Sequence, residues 1–188
     1  MGVIKLPATV FVYKYIGATG SQTQINITGV NQRMTTADEN ASGSPATNPI
    51  PVPAAGNINS SYWQNTTLFA FTSPATSINN VKWYTGGSNP FPAGTFFSGS
   101  HTGSYIQAYG TPGTTGIQMA SAAIPWNPNQ MNSMFGFTAG SPLSLTGSIS
   151  NPTTGLFTEW VTYQAYISST AAAGQSSQTT FTFIYDEQ

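Results

Sequence analysis

The stretch that decides the fold spans residues 156–185 and reads LFTEWVTYQAYISSTAAAGQSSQTTFTFIY. It contains two runs of alternating side chains. In the first run, Val161, Tyr163, Ala165 and Ile167 alternate with Trp160, Thr162, Gln164 and Tyr166. In the second run, Phe181, Phe183 and Tyr185 alternate with Thr180, Thr182 and Ile184. A period of two places successive side chains on opposite faces of a β-strand, and aromatic and β-branched residues favour such strands. The two runs are therefore predicted to be the longest strands of a β-sandwich.

Shorter apolar runs separated by turn signals recur along the rest of the chain. They predict strands at residues 9–16, 23–30, 67–72, 78–84, 95–97, 104–109, 115–119, 133–138 and 142–150. We expect one all-β domain over residues 1–188, an antiparallel β-sandwich of jelly-roll or Greek-key type with about 8–10 strands and almost no helix. The link over residues 169–179 is too long for a tight hairpin, so we expect it to cross from one sheet to the other.

Residues 31–62 differ from the rest because they are rich in Pro, Ser and Asn and show little periodicity. Proline fixes φ and lacks an N–H, so residues 50–53 are expected to be extended, polyproline-like backbone. A loop of this length is either a surface excursion or an arm that orders against a neighbouring subunit. The sequence leaves both alternatives open, and residues 1–8 are a second candidate for reaching across an interface.

The composition argues against several classes of function. Charged residues make up 5% of the chain, against about 25% in ordinary soluble domains. Such a surface does not attract a phosphate backbone, so we expect no nucleic-acid partner. It also generates little repulsion between copies and buries few unpaired charges on contact, which favours self-association. The chain has no cysteine, and no window approaches the ~18 apolar residues of a membrane span.

Few residues are available for catalysis. His101 is the only histidine and lies in a predicted loop, and no G-x-S-x-G motif is present. Glu159 is a candidate for one of the two carboxylates of a glycosidase, but few other acidic residues are available to partner it. We therefore expect no enzymatic activity and no cofactor. Asp186 and Glu187 are weak candidates for calcium binding with loop carbonyls, the alternative being an acidic end that keeps the last strand soluble.

Proline and aromatic residues supply the candidates for interfaces. These are Pro49, Pro51, Pro53, Trp126, Phe181, Phe183 and Tyr185. Trp126 lies in a Pro-flanked loop and is also a candidate for stacking on a glycan, whereas packing in a core or an interface is the more ordinary use of such rings.

Three stretches of the chain resemble a group of small virion proteins. They are NNVKWYTGGSN (residues 79–89), SPLSLTGSISNPTTGLFTEWVTYQAYISSTAAAGQ (141–175) and QTTFTFIYDEQ (178–188). The resemblance is to bacteriophage and archaeal-virus structural proteins that are β-rich, cysteine-free and low in charge. It implies a non-enzymatic protein of the virion, either a capsid decoration or cement protein or a small jelly-roll capsid subunit, which contacts copies of itself or a viral shell protein. No functional residue is carried over, because such proteins act through surfaces.

Two other hypotheses come from different classes. The first is a secreted cell-surface filament subunit joined by strand exchange, which predicts that the monomer's sheet lacks a strand. The second is a glycan-binding module, which predicts that Trp126 or Trp63 is exposed beside a groove. The virion protein is the leading hypothesis, because a nearly uncharged exterior around aromatic strands suits a building block.

Overall fold

The computed structural model describes residues 7–42, 47–122, 124, 133–174 and 177–188, which contain β-strands and two short 3-10 helices but no α-helix. The strands are β1 (Val10–Ile16), β2 (Thr23–Asn26), β3 (Ile58–Ser60), β4 (Gln64–Ala70), β5 (Ser77–Tyr84), β6 (Thr95–Thr102), β7 (Gly110–Thr111), β8 (Thr115–Gly116), β9 (Leu143–Ser144), β10 (Ile149–Ser150), β11 (Gly155–Leu156), β12 (Trp160–Ser168) and β13 (Thr182–Glu187). The 3-10 helices are Met119–Ala122 and Ser133–Gly136. The all-β prediction is confirmed. Within the described ranges no helix has the length and apolar character needed to cross a bilayer.

Seven strands form a large antiparallel sheet that is five strands wide, and we name each of these five strand positions a row. The rows follow the order β2, β1, β4, β12 and β6, with β3 continuing the row of β4 and β11 continuing the row of β12. Residues 61–63 and 157–159 interrupt the two extended rows. Side chains replace backbone groups there: Ser61 Oγ accepts a hydrogen bond from Ala165 N at 3.0 Å, and Thr158 Oγ1 accepts one from Leu68 N at 3.1 Å.

A small antiparallel sheet of three rows is centred on β5. Strand β13 pairs with one edge of β5, and β9 and β10 lie end to end along the other edge. Asn80 adopts a left-handed φ of 51°. Between the pairs Ile184–Lys82 and Asp186–Asn79, β5 has one residue more than β13, as in a β-bulge. With the separate β7–β8 hairpin, the described strands thus form eight rows and one hairpin.

The two sheets pack face to face around one apolar core. Its buried members are Leu68, Ala70, Ile78, Val81, Trp83, Phe97, Met134, Phe135, Leu145, Ile149, Phe157, Val161, Tyr163 and Ala165. The two strands of the deciding stretch lie in different sheets, β12 in the large one and β13 in the small one, so the link between them crosses the sandwich. The jelly-roll or Greek-key connectivity stays a prediction.

Some predicted strands are wrong. Residues 104–109 form no strand, the run 133–138 contains the 3-10 helix Ser133–Gly136, and the run 142–150 divides into β9 and β10. Short apolar runs of this kind fit a buried turn as well as a strand, because so few residues do not establish a period. Conversely, β3 lies inside residues 31–62, which we name the excursion. This strand has no strand signal of its own, because it depends on its pairing with β12.

The excursion folds back on its own chain over much of its length. Gln64 Nε2 donates to the carbonyl of Arg33 at 2.7 Å, and Tyr62 N donates to that of Thr35 at 2.8 Å. Thr36 is fully buried, and its carbonyl accepts a hydrogen bond from Gly113 N at 3.3 Å. Of the two alternatives for residues 31–62, this part corresponds to a surface excursion packed on its own sandwich.

Candidate functional site

The large sheet has an outer face, turned away from the small sheet. Directly opposed residues in an antiparallel pair share a face. The outer face therefore carries residues from three strands. They are Phe11, Tyr13 and Tyr15 of β1, their partners Phe69, Thr67 and Asn65 of β4, and Trp160, Thr162, Gln164 and Tyr166 of β12. Residues 103–122 and 124, which we name the covering segment, pack over the half of this face around Asn65 and Gln164.

The covered half is polar and its hydrogen bonds are made within the chain. Gln164 is fully buried, and its Nε2 donates to the carbonyls of Ser61 at 2.6 Å and Ile117 at 2.7 Å. Its Oε1 accepts from Met119 N at 2.9 Å and from the Tyr166 hydroxyl at 2.6 Å. A buried amide with all of these partners holds the covering segment at one position, because a shift would leave several polar groups unpaired.

Apolar contacts complete the covered half. Trp63 is buried in a cluster with Ala108, Met119 and Ile124, and its indole Nε1 donates to the carbonyl of Ile106 at 2.9 Å. At the margin of the covered half, the ring of Tyr15 lies 4.6 Å from that of Trp160, and Tyr105 lies against both. Burial, and secondarily the neighbouring Tyr13, raises the pKa of Tyr15 to about 12, so its hydroxyl is neutral at physiological pH.

The other half of the same face is aromatic and open. It consists of Phe11, Tyr13, Phe69, Phe71 and Leu156, which we name the open half. The ring of Phe11 lies 5.7 Å from that of Phe71, and the ring of Tyr13 lies 5.1 Å from that of Phe69. Phe71 is 62% exposed and Leu156, opposite Phe69, is 44% exposed. Large contiguous apolar patches on a protein surface are commonly sites of interaction with another molecule.

No charged side chain belongs to the open half. The single charged residue of β1, Lys14, alternates with Tyr13 and Tyr15 and therefore points to the opposite face of the sheet. Its side chain is buried, and Nζ donates to the carbonyl of Glu39 at 2.7 Å. Burial lowers the pKa of Lys14 to about 8, against the opposing influence of Asp38 and Glu39. The lysine thus anchors the excursion behind the open half.

The three candidate prolines lie on an extended stretch of the excursion. Residues 49–53, which we name the Pro ridge, have no regular secondary structure. Pro49, Pro51 and Val52 are exposed, whereas Ile50 packs against the sandwich core. The carbonyl of Pro51 accepts a hydrogen bond from Asn59 Nδ2 at 2.8 Å, which holds the ridge beside β3.

The aromatic candidates of the last strand face the interior. Phe181, Phe183 and Tyr185 are partly buried against the sandwich core. The ring of Phe181 lies 4.8 Å from that of Tyr163 and 5.4 Å from that of Trp83. These three side chains therefore contribute to the packing of the two sheets, and β13 already has one edge paired with β5.

The two calcium candidates do not converge. Asp186 and Glu187 are successive strand residues, so their side chains point to opposite faces. Asp186 Oδ2 accepts a hydrogen bond from Asn80 Nδ2 at 2.7 Å, and Glu187 Oε1 accepts one from Ala8 N at 2.6 Å. In the described parts of the chain no three His, Asp or Glu side chains are grouped as metal ligands.

The structure places His101 in strand β6 rather than in the predicted loop, and brings it next to Glu159, from which the sequence separates it widely. His101 Nδ1 lies 3.2 Å from Glu159 Oε2, and the same oxygen accepts a hydrogen bond from Thr146 N at 2.7 Å. The histidine side chain is 44% exposed, and an ion pair in such surroundings contributes at most about 1 kcal/mol. The pair links β6, the start of β12 and the loop before β10, so its contacts hold three segments of the fold together.

Two tryptophans were candidates for glycan stacking. Trp63 is buried, with its ring under the covering segment. Trp126 lies outside the described residues.

The sequence alone does not identify the open half as one surface, because its side chains come from three separate stretches of the chain. The available signal was residues 67–72, TLFAFT, in which Phe69 and Phe71 alternate with Leu68 and Ala70, so that both faces of one strand are apolar. The open half suits contact with an uncharged apolar surface. The chain matches no family model, no curated protein and no solved structure, so its own surfaces carry the functional assignment.

Proposed function

We propose that this chain is a non-enzymatic structural subunit of a virion, which assembles with copies of itself through the open half of the large sheet. The observation that carries the proposal is the exposure of Phe71 and Leu156 beside three further large apolar side chains. Among the residues that the structure describes, one segment of the chain covers the polar half of this sheet face, and none covers the apolar half.

Burial of the open half against a neighbour supplies a driving force for assembly. A large apolar side chain that moves completely from water into an interface contributes roughly 1.5–3 kcal/mol. Aromatic residues at the centre of an interface commonly account for most of its binding energy. The five side chains of the open half are adjacent, so one contact can bury them together.

A second copy of the chain is a suitable partner because it brings almost no charge into the contact. Charged residues are 5% of the sequence, and removal of an unpaired charge from water is costly. A contact between copies that avoids these few charged residues therefore forms without this penalty. The resemblance of three sequence stretches to virion structural proteins supports the virion as the place of assembly.

The test compares assembly of the wild-type protein with that of a variant of the open half. In the face variant, Phe71→Ser and Leu156→Ser are combined. The matched control is Ile184→Ser, which removes a side chain that is 40% exposed on the outer face of the small sheet. Sedimentation velocity and negative-stain microscopy follow the assembly state, and circular dichroism verifies the fold.

We expect the wild type and the Ile184→Ser control to form oligomers or ordered particles and the face variant to remain monomeric. Wild-type protein that stays monomeric at every concentration tested would contradict self-assembly. Equal assembly of the face variant and the wild type would contradict the role of the open half.

A further inference from the structure

We propose that the occupant of the open half is the Pro ridge, residues 49–53, of a second copy of this chain. This inference rests on the proposed function and names the two surfaces that meet. The contact joins two different patches, so each subunit offers one ridge and one open half.

The Pro ridge is already arranged for binding. Proline restricts φ to the range of the polyproline II helix, so residues 49–53 lose little conformational entropy when they are bound. The hydrogen bond from Asn59 to the carbonyl of Pro51 holds the ridge on the rigid row of β3 and β4. Pro51 and Val52 are both exposed, so their apolar rings and methyl groups face solvent in the single chain.

The chemistry of the two surfaces is complementary. Extended proline-rich segments are commonly recognised by surfaces lined with aromatic rings, which contact the flat faces of the proline rings. The open half provides such rings at Phe11, Tyr13, Phe69 and Phe71. Neither surface carries a charge: residues 47–60 contain no Asp, Glu, Lys or Arg, so no ion is removed from water when they meet.

The position of the two surfaces requires a second molecule. The ridge is attached at Asn59 in β3, and the open half lies at Phe69 and Phe71 at the far end of the same row. Ten residues along this row separate them by roughly 30 Å, so a ridge does not reach the open half of its own chain. A contact between unlike patches is heterologous, and its repetition gives a ring or an extended array.

The experiment uses two variants that each lose one surface. The face variant is Phe71→Ser with Leu156→Ser, and the ridge variant is Pro51→Ser with Val52→Ser. The hydrogen bond at Pro51 uses the backbone carbonyl, so the ridge variant retains it. Ile58→Ser is the matched control, because Ile58 is 41% exposed and lies in β3 outside the ridge. Urea unfolding of each variant verifies that it is folded, and sedimentation velocity follows each protein alone and in equimolar mixture.

We expect the wild type and Ile58→Ser to assemble, and the face and ridge variants to be monomeric when studied alone. The equimolar mixture of the two variants should form a one-to-one dimer and nothing larger, since only one intact ridge then meets one intact open half. Assembly of the ridge variant equal to that of the wild type overturns the inference and leaves the proposed function in place. A mixture that stays monomeric also overturns it. If the wild type itself is monomeric, the proposed function fails as well.

Discussion

The two halves of the outer face of the large sheet lie side by side on one sheet and share β4, yet they have opposite surroundings. The covered half contains buried Asn65, Thr162 and Gln164, with their polar groups bonded to the chain itself. The open half contains five large apolar side chains and includes Phe71, which is mostly exposed. A simple division into apolar interior and polar surface would assign the two halves the other way round.

The difference follows from what each kind of side chain requires. A buried amide or hydroxyl needs donors and acceptors at fixed positions, and an unpaired one costs roughly 1–3 kcal/mol. A segment of the same chain, folded in one register, provides such partners within each molecule. Apolar rings require no directed partner, so another molecule satisfies them equally well. The half that needs precise partners is covered from within, and the other half has no cover among the described residues, as the proposed assembly requires.

The largest expected effect comes from Gln164→Leu, which keeps the side-chain volume and removes every hydrogen bond of the amide. The carbonyls of Ser61 and Ile117, the N–H of Met119 and the hydroxyl of Tyr166 lose this partner. We expect the free energy of unfolding to fall by roughly 3–5 kcal/mol. Urea denaturation followed by tryptophan fluorescence measures the change.

Gln24→Leu is the control for this substitution, because Gln24 is exposed in β2. We expect its effect to stay within about 0.5 kcal/mol. If Gln164→Leu lowers the free energy of unfolding as little as Gln24→Leu does, the polar network does not hold the covering segment. The difference between the two halves would then not rest on hydrogen bonds.

An intermediate effect is expected from Lys14, which lies behind the open half. The pKa of Lys14 is lowered by burial from 10.5 to about 8, so between these values the unfolded chain binds a proton that the folded chain releases. The stability that neutral Lys14 contributes is present above pH 10.5 and is lost as the pH falls through 8. We expect the stability of the wild type relative to Lys14→Met to rise by roughly 2 kcal/mol from pH 7 to pH 10.

Urea denaturation of the two proteins across this pH range measures the difference, and the contribution of the tyrosines cancels because both proteins contain them. A constant difference across the range would show that Lys14 is not buried in solution. The excursion would then not be anchored behind the open half.

The smallest effect is expected from Phe71→Ser measured on the monomer. Phe71 is 62% exposed and contacts Phe11 at its margin, so its removal should lower the free energy of unfolding by less than about 1 kcal/mol. The measurement is made at a protein concentration at which the wild type does not associate. A loss as large as that of Gln164→Leu would mean that the open half stabilises the fold, which would contradict its availability for assembly.

The alternation of side chains was sufficient to predict the all-β fold and the presence of both strands of the deciding stretch. The prediction that both are the longest strands is wrong, because β13 has six residues and β5 and β6 have eight each. Val161, Tyr163 and Ala165 do lie on the inner face and Thr162 and Gln164 on the outer face. The same reasoning failed at residues 133–138, where Met134 and Phe135 enter the core from a 3-10 helix. Apolar character determines that a side chain is buried, but a short run does not determine the backbone that carries it.

The candidate site was less accessible to prediction. Phe181, Phe183 and Tyr185 are as aromatic as Phe11, Tyr13 and Phe69, and the sequence does not distinguish a ring that packs between two sheets from one that faces outward. The pairing of β13 with β5 and of β1 with β4 makes this distinction. Likewise, His101 and Glu159 meet only because β6 pairs along β12.

The sequence by itself determined that this chain forms pleated strands with a nearly uncharged surface, because side-chain period and composition are local properties. Only the tertiary structure decided which half of the sheet face receives a cover, since that depends on where residues 103–122 and 124 return and on the partners that Gln164 and Asn65 offer them. Hydrogen bonds between distant segments depend on where those segments lie in space, whereas alternation along a strand specifies only the face to which each side chain points.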